Sequence, residues 1–213
     1  TSTQEITISK PFMTVNVALN GESENQEYIA SFDSPVRVEI GYFNNLSTSV
    51  IDGEIRVKLS GTAFDKNAIN VEQGVYDSAR NEIVWNGVSD RALRNIGAGA
   101  EGSVGFTVTP RNLSTSLKQV TNPDVKMDIG IKGKRIAENN VPESITLSAS
   151  RRVKVSSNVS LAGQVVRTSG PFENTGPVPP QPERQTTYTI IWTVDNTSST
   201  IANAQVTSAF LLV

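Results

Sequence analysis

The sequence predicts an all-β fold, an antiparallel sandwich or barrel. Three observations carry this reading. Apolar and polar residues alternate in five short runs, turn residues separate the runs, and only one stretch has helical spacing. Val36, Val38, Ile40 and Tyr42 alternate with Arg37, Glu39 and Gly41. Ile55, Val57 and Leu59 alternate with Glu54, Arg56, Lys58 and Ser60. Ile83 and Trp85 repeat the pattern, as do Val104, Phe106 and Val108, and then Val125, Met127, Ile129 and Ile131. A period of two places one face of each run on a core and the other in water. Turns are expected at Asn44-Asn45, Asp52-Gly53, Gly61, Asn86-Gly87 and Asn122-Pro123. Ser89 to Ile96, with Leu93 and Ile96 three apart, predicts one turn of helix between two strands.

Composition excludes several kinds of chemistry. The 213 residues include no His and no Cys. Serine–histidine and cysteine–histidine catalysis, His- or Cys-ligated metals and disulfides are therefore ruled out. Lys+Arg number 19 against Asp+Glu 21, a net charge of −2, which argues against a nucleic-acid surface. No run approaches the ~18 apolar residues of a membrane helix, so no membrane-spanning segment is expected in this stretch. The start, Thr1 to Glu5, has neither the charged nor the apolar region of an export signal and does not begin with Met. It reads as an excerpt or a processed form.

An internal repeat is the most informative feature. Asn16-Val17-Ala18-Leu19-Asn20-Gly21 is echoed by Asn158-Val159-Ser160-Leu161-Ala162-Gly163, 142 positions on. Val38-x-Ile40-x-Tyr42-x-Asn44 is echoed by Ile190-x-Trp192-x-Val194-x-Asn196, 152 positions on. Val50-x-Asp52-x-x-Ile55 is echoed by Ile201-x-Asn203-x-x-Val206, 151 positions on. Both changes of offset fall in loops, where they leave strand parity intact. Ile6-Thr7-Ile8-Ser9 also echoes Ile145-Thr146-Leu147-Ser148. The expected organisation is a leader strand or the end of a preceding module at 1–11, a complete module at 12–150, and a partial second module at 151–213. Ser148–Arg152 would be the linker, and a Pro-rich loop spans 170–185. The second copy should have strands at Val153–Val166, Thr187–Asn196 and Ala202–Leu212, and lacks the later ones. The chain is then expected to be cut from a longer array, or completed by another chain.

Single motifs read as structure. Gly97-x-Gly99-x-x-Gly102 has the spacing of a dinucleotide loop, but it leads into the strand around Val104 rather than a helix. The triplets beginning at Asn45, Asn112, Asn158 and Asn196 are potential glycan acceptors, in the number that composition alone yields. Glu22, Glu24, Glu27, Asp33 and Asp52 are candidate calcium ligands, though no calcium-loop pattern surrounds them. No metal, catalytic or cofactor residue is assigned. Lys132, Lys134, Arg135, Arg151, Arg152 and Lys154 read as a solvated hairpin end. Trp85, Trp192 and Tyr188 lie on apolar parity and are expected in cores. Glu39 and Glu54 could form a glycosidase pair only if a cleft joined them.

The segment Gly176-Pro177-Val178-Pro179-Pro180, followed by Thr187-Tyr188-Thr189-Ile190-Ile191-Trp192-Thr193-Val194-Asp195-Asn196 and Ala204-Gln205-Val206, resembles the opening of immunoglobulin-like conserved-repeat domains of bacterial and archaeal cell-surface proteins. Ile83-Val84-Trp85-Asn86, and Leu93-x-x-Ile96-x-Ala98-Gly99-Ala100-Glu101-Gly102 running into Val104, resemble their middle strands. The first copy departs by lacking the Pro-rich opening, and the second by having Phe210-Leu211-Leu212 where Leu-Pro is usual. The resemblance implies an antiparallel immunoglobulin-like β-sandwich, one complete module followed by the first strands of a second. It implies a non-catalytic extracellular stalk, adhesin or surface-layer repeat, without cofactors. Its partners would be neighbouring copies of the module, in this chain or another, and a surface polymer or glycan. Two alternatives stand beside it. One is a filament or pilus subunit completed by strand donation. The other is a carbohydrate-binding module using Phe43, Phe172 or Tyr76.

Overall fold

The computed structural model describes residues 11–111, 120–136 and 142–208. Ile6–Ser9, the Asn112 triplet and Phe210–Leu212 lie outside the described residues. The chain divides into two compact units, Thr1–Ser156 and Ser157–Val213.

The first unit contains β1 (Met13–Leu19), β2 (Glu27–Ala30), β3 (Val36–Asn44), β4 (Val50–Ser60), β5 (Ile69–Val71), β6 (Val75–Asp77), β7 (Glu82–Asn86), β8 (Asn95–Ile96), β9 (Glu101–Val108), β10 (Asp124–Ile136) and β11 (Pro142–Val155). One sheet has the order β1-β3-β9-β5 and the other β2-β11-β10-β4-β7-β6, with β8 also on β4. Strands β1-β3-β9 facing β11-β10-β4 reproduce the A-B-E and G-F-C frame of an immunoglobulin-like sandwich, and that is the fold. The ladders are antiparallel except β2 on β11, which is parallel.

Alternation builds the core as expected. Strand β3 buries Val36, Val38, Ile40, Tyr42 and Asn44 and turns Arg37, Glu39 and Phe43 outward. Across from it, Ile55, Val57, Leu59, Ile83, Trp85, Met127 and Ile129 are buried on the second sheet. Trp85 is fully buried, meets Phe106 at 6.1 Å between ring centroids, and donates its indole N–H to the Glu72 carbonyl at 2.7 Å. The expected helical turn is a short 3₁₀ turn, Arg91–Arg94, capped by Asp90 accepting from the Ala92 N–H.

A buried asparagine fixes where the chain crosses between sheets. Asn44 ends β3, and its amide donates to the carbonyls of Thr48, Ile96 and Gly97. Its side-chain oxygen accepts from the Leu46 N–H. These bonds satisfy carbonyls that a hydrocarbon side chain would leave unpaired. Asp52-Gly53, expected as a turn, is instead a bulge inside the continuous strand β4. The register against β10 shifts between Lys132 and Lys134, with Asp52 at φ 54°. Ser148–Arg152, expected as a linker, is the middle of β11, paired residue by residue with Lys126–Gly130. Ala149 and Arg151 sit on its inward parity, so the polar run Ser-Ala-Ser-Arg-Arg hid the strand.

Strand β1 and strand β11 run in the same sense. Phe12 and Met13, at the start of β1, share a groove with Ile145 and Leu147 near the start of β11. Beyond the end of β1, the Ser23 and Gln26 carbonyls meet Arg151 and the Arg152 N–H. The chain therefore enters the first unit at one pole and leaves it at the other.

The second unit contains β12 (Val159–Val166) and β13 (Thr189–Asn196), paired antiparallel. Three corrections apply to the expected strands. Val153–Val155 belongs to β11 rather than to the first strand of this unit. Residues 201–208 form no strand; the corresponding strand β4 is held by ladders to β10 and β7, and the described residues of this unit offer no equivalent of either. The register also differs from that implied by the Asn16/Asn158 echo, which would set Val159 opposite Trp192, as Val17 opposes Ile40. The structure pairs Val159 with Asn196, Leu161 with Val194, Gly163 with Trp192 and Val165 with Ile190. Met13, opposite Asn44, is thus the counterpart of Val159. A slip of four leaves every side chain on its face, so alternation alone cannot detect it. The Pro-rich loop is tied down by Arg167, which donates to the carbonyls of Thr175, Gly176 and Thr187.

Replacing Asn44 by Ala should cost about 1–3 kcal/mol in urea unfolding, because three carbonyls lose their donor. Asn45→Ala, which removes bonds to the exposed Pro11 carbonyl and Thr14 hydroxyl, should cost under about 1 kcal/mol. Equal losses would contradict the role given to Asn44.

Candidate functional site

Strand faces dispersed most of the residues singled out in the sequence. Glu39 lies on the outer face of one sheet and Glu54 on that of the other, with the core between them. They form no carboxylate pair. Glu54 instead bonds Arg56 at 2.6 Å, and Arg56 reaches Glu82 at 3.0 Å. The Arg56 hydrogen bond holds the Glu54 carboxyl below its ordinary value. Glu27 is bonded to Lys154 at 2.6 Å and lies 3.7 Å from Arg152, and the Lys154 bond lowers its pKa in the same way. Asp52 pairs with Lys134 at 3.1 Å. Among the described residues, no three of His, Cys, Asp or Glu come together to hold a metal ion.

The basic residues are not one patch. Lys134 and Arg135 lie at the end of the β10–β11 hairpin where Arg135 pairs with Glu143 along the ladder. Arg152 and Lys154 lie at the opposite end, beside Asp124. Arg135 stacks on the Phe12 ring at 5.1 Å, and Arg152 reaches Asp124 at 3.4 Å. The glycine motif is accounted for by packing. The Gly97 carbonyl is held by Asn44, and Gly99 has φ 67°. A Cβ at Gly102 would lie 2.4 Å from the Tyr42 hydroxyl.

The aromatic candidates separate. Tyr76 is half-buried on β6, and Phe43 borders a shallow depression on the outside of the first sheet, with Thr14, Asn16 and Glu101. Phe172 is 71% exposed in the second unit. Trp192 and Tyr188, expected in a core, are 43% and 44% exposed. The Trp192 ring packs against Gly163, where a Cβ would come within 2.9 Å of it. It occupies one face of the β12–β13 pair together with Val159, Leu161, Val165, Ile190 and Val194. Four of these five aliphatics are at least half exposed. The corresponding face of β1–β3 carries Met13, Val17, Leu19, Val38, Ile40 and Tyr42, all buried. An uncovered apolar face follows from the incomplete set of strands expected for the second copy; sequence reasoning missed that Trp192 and Tyr188 lie exposed there rather than in a core.

A second apolar feature is a groove of about 160 Å³ between β1 and β11, lined by Pro11, Phe12, Met13, Ile131, Ile145 and Leu147. No helix among the described residues is long and apolar enough to cross a membrane.

No protein-family model and no curated protein matches the sequence. Among solved structures the chain is similar to the major pilin subunit of Bacillus cereus, at 5% identity and TM-score 0.43, over 88% of this chain and 56% of the pilin. It is similar to a CARDB domain from Pyrococcus furiosus, solved with di-metal ions, at 15% identity and TM-score 0.38, over 72% of this chain and 95% of that domain. It is also similar to a type I cohesin from Pseudobacteroides cellulosolvens, at 13% identity and TM-score 0.38, over 67% of this chain and 92% of the cohesin. The chain spans just over half the length of the pilin. Likeness at this level is one of strand arrangement only.

The lowered Glu54 value makes a pH prediction. The ionised carboxylate is favoured in the folded chain, so its contribution is complete above the ordinary value of 4.5 and is lost as the pH falls through the lowered one. Glu54→Gln should reduce stability at pH 7 by less than about 1 kcal/mol, since the pair is partly solvated. The difference from the parent should shrink as the pH falls below 4.5. Urea midpoints across pH measure this, and a difference that grows in acid would contradict it.

Proposed function

We propose that the chain is a non-catalytic structural stretch of an extracellular stalk, adhesin or surface-layer protein. In this reading residues 12–156 form one complete sandwich and residues from 157 on open the next. The observation that carries it is a repeated turn geometry. Asn44 donates to the Thr48 carbonyl at 2.9 Å, and Asn196 donates to the Ser199 carbonyl at 2.7 Å. The N–H of Asn45 donates to the Phe12 carbonyl, and the N–H of Thr197 donates to the Asn158 carbonyl. Asp52 has φ 54° and Asn203 has φ 56°, a backbone region uncommon for residues other than glycine. Two units of unrelated layout have no reason to share an end-of-strand asparagine, a bond back to the residue before the first strand, and a left-handed residue shortly after the turn, eight positions after Asn44 and seven after Asn196.

The poles of the first unit fit a load-bearing role. Tension applied at Met13 and Val155 acts along β1 and β11, so the β1–β3 and β10–β11 ladders are loaded in shear and must yield together. Among the described strand residues, the uncovered face of β12–β13 offers only Asn196 at one end and the Trp192 indole N–H as polar groups, few for binding the hydroxyls of a saccharide.

Single-molecule stretching tests the reading. Residues 13–155, unfolding as one body at roughly 3.6 Å per residue less the folded span, should release about 470 Å in one step. A series of smaller steps, or smooth extension without a force peak, would contradict it.

A further inference from the structure

We infer that the depression on the outside of the first sheet binds a neutral saccharide, with Phe43 against the sugar ring and Asn16, Ser103 and Glu101 holding its hydroxyls. Such a site supplies the adhesive part of the role proposed above, and it rests on that role only for placing the chain where such polymers occur.

The floor of the depression is a glycine that the fold does not require. Gly41 lies within β3, paired with Asn16 of β1 on one side and with Ser103 of β9 on the other. A glycine inside a strand weakens it, and often marks a place where another group approaches closely. Packing accounts for the glycines of β9. A Cβ at Gly102 would collide with the Tyr42 hydroxyl, and one at Gly105 would come within 3.1 Å of the Glu72 carboxylate. At Gly41 a Cβ would meet only the Asn16 carbonyl oxygen, at 3.8 Å, and would otherwise stand in open space. The second unit supplies an independent comparison. With Met13–Asn44 matched to Val159–Asn196, Gly41 and Phe43 correspond to Thr193 and Asp195. The same kind of strand pair thus forms without the glycine and without the aromatic ring.

The groups around that floor suit a sugar. Two rows cross the sheet: Thr14, Phe43 and Glu101, then Asn16, Gly41 and Ser103. The rows are roughly 7 Å apart and about 10 Å wide, with about 360 Å³ of space above them. Phe43, 37% exposed, offers an apolar ring to the C–H face of a pyranose. Asn16, Ser103 and Glu101 are exposed, and their side chains make no hydrogen bond or ion pair among the described residues. The Asn45 amide donates to the Thr14 hydroxyl at 2.8 Å, which leaves the Thr14 proton to donate outward. On the outside of the other sheet the charges satisfy one another, Glu54 and Glu82 through Arg56 and Glu27 through Lys154.

Charge and backbone pairing narrow the ligand class. Glu101 is the one ionisable residue of the six, so an anionic polymer is repelled. Strand β3 is paired on both sides at Gly41, so the floor has no free backbone edge for an extended peptide to join. Recognition falls to an aromatic ring and a rim of hydroxyl, amide and carboxylate groups, which is the chemistry that binds a neutral sugar.

Titration of the isotopically labelled full chain by nuclear magnetic resonance tests this. The neutral probes are cellohexaose, mannohexaose and chitohexaose, which between them vary hydroxyl orientation and add an acetamido group. Polygalacturonate is the anionic probe, and a proline-rich decapeptide the peptide probe. At least one neutral probe should shift the Gly41, Phe43 and Ser103 amides. Gly41→Thr, which places the second unit's residue on the floor, should weaken that binding about tenfold or more without lowering the urea midpoint. Phe43→Ala should weaken it to a similar degree. Gly130→Thr, at an equally open glycine on the outside of the other sheet, should leave it unchanged. No shift with any neutral probe would overturn the inference, as would a stronger response to polygalacturonate or to the peptide, or sugar binding that survives Gly41→Thr. Any of these results alongside one-step release in stretching rejects the site alone and leaves the structural role standing.

Discussion

An alternating strand has an apolar face, and that face holds its place only when a second layer covers it. This constraint governs both parts of the chain. In the first unit β1, β3 and β9 present Val17, Leu19, Ile40 and Phe106 to a layer that answers with Ile55, Val57, Trp85 and Met127, all at most 1% exposed. In the second unit the same kind of strand pair carries a comparable apolar face, and Trp192 lies in the open. Burying a large side chain contributes about 1.5–3 kcal/mol. The difference between the units therefore lies in burial more than in backbone pairing.

Alternation decides which face a residue occupies but not how far along the strand it sits. Polar groups at the strand ends supply the missing information. Asn44 and Asn196 close their turns through the same amide, and the residue after each bonds back to the carbonyl before the first strand. These fixed bonds set the register at Met13–Asn44 and Val159–Asn196. The matching Asn-Val-x-Leu-x-Gly strings are thereby moved four residues out of structural correspondence.

Strands β3, β7, β9 and β10 and the inner run of β4 were legible because an alternating run leaves little choice of period, whereas the polar middle of β11 hid the longest strand. Strands β2, β5, β6 and β8, of two to four residues, were not legible, because so short a run carries no period. Their positions come from the loops and neighbours that hold them. Asp52-Gly53 looked like a turn because a bulge uses the same left-handed residue that a turn does. Trp85 was legible as core and Trp192 was misplaced, although both stand on apolar parity; among the described residues only the first has a layer opposite it. Glu39 and Glu54 lie close in sequence, but the β3 to β4 crossing sends them to opposite surfaces. The six basic residues that crowd residues 132–154 separate because an antiparallel hairpin folds such a run out to its two ends.

Hydrogen exchange resolved by residue tests the covering-layer account most directly. Amides of β3 and β10 lie in ladders on both sides of a closed core, so they should exchange only when the whole first unit unfolds. An isolated two-stranded pair is marginal in water, so amides of β12 and β13 should exchange at least a thousandfold faster under the same conditions. Equal protection in the two sets of strands would contradict the account.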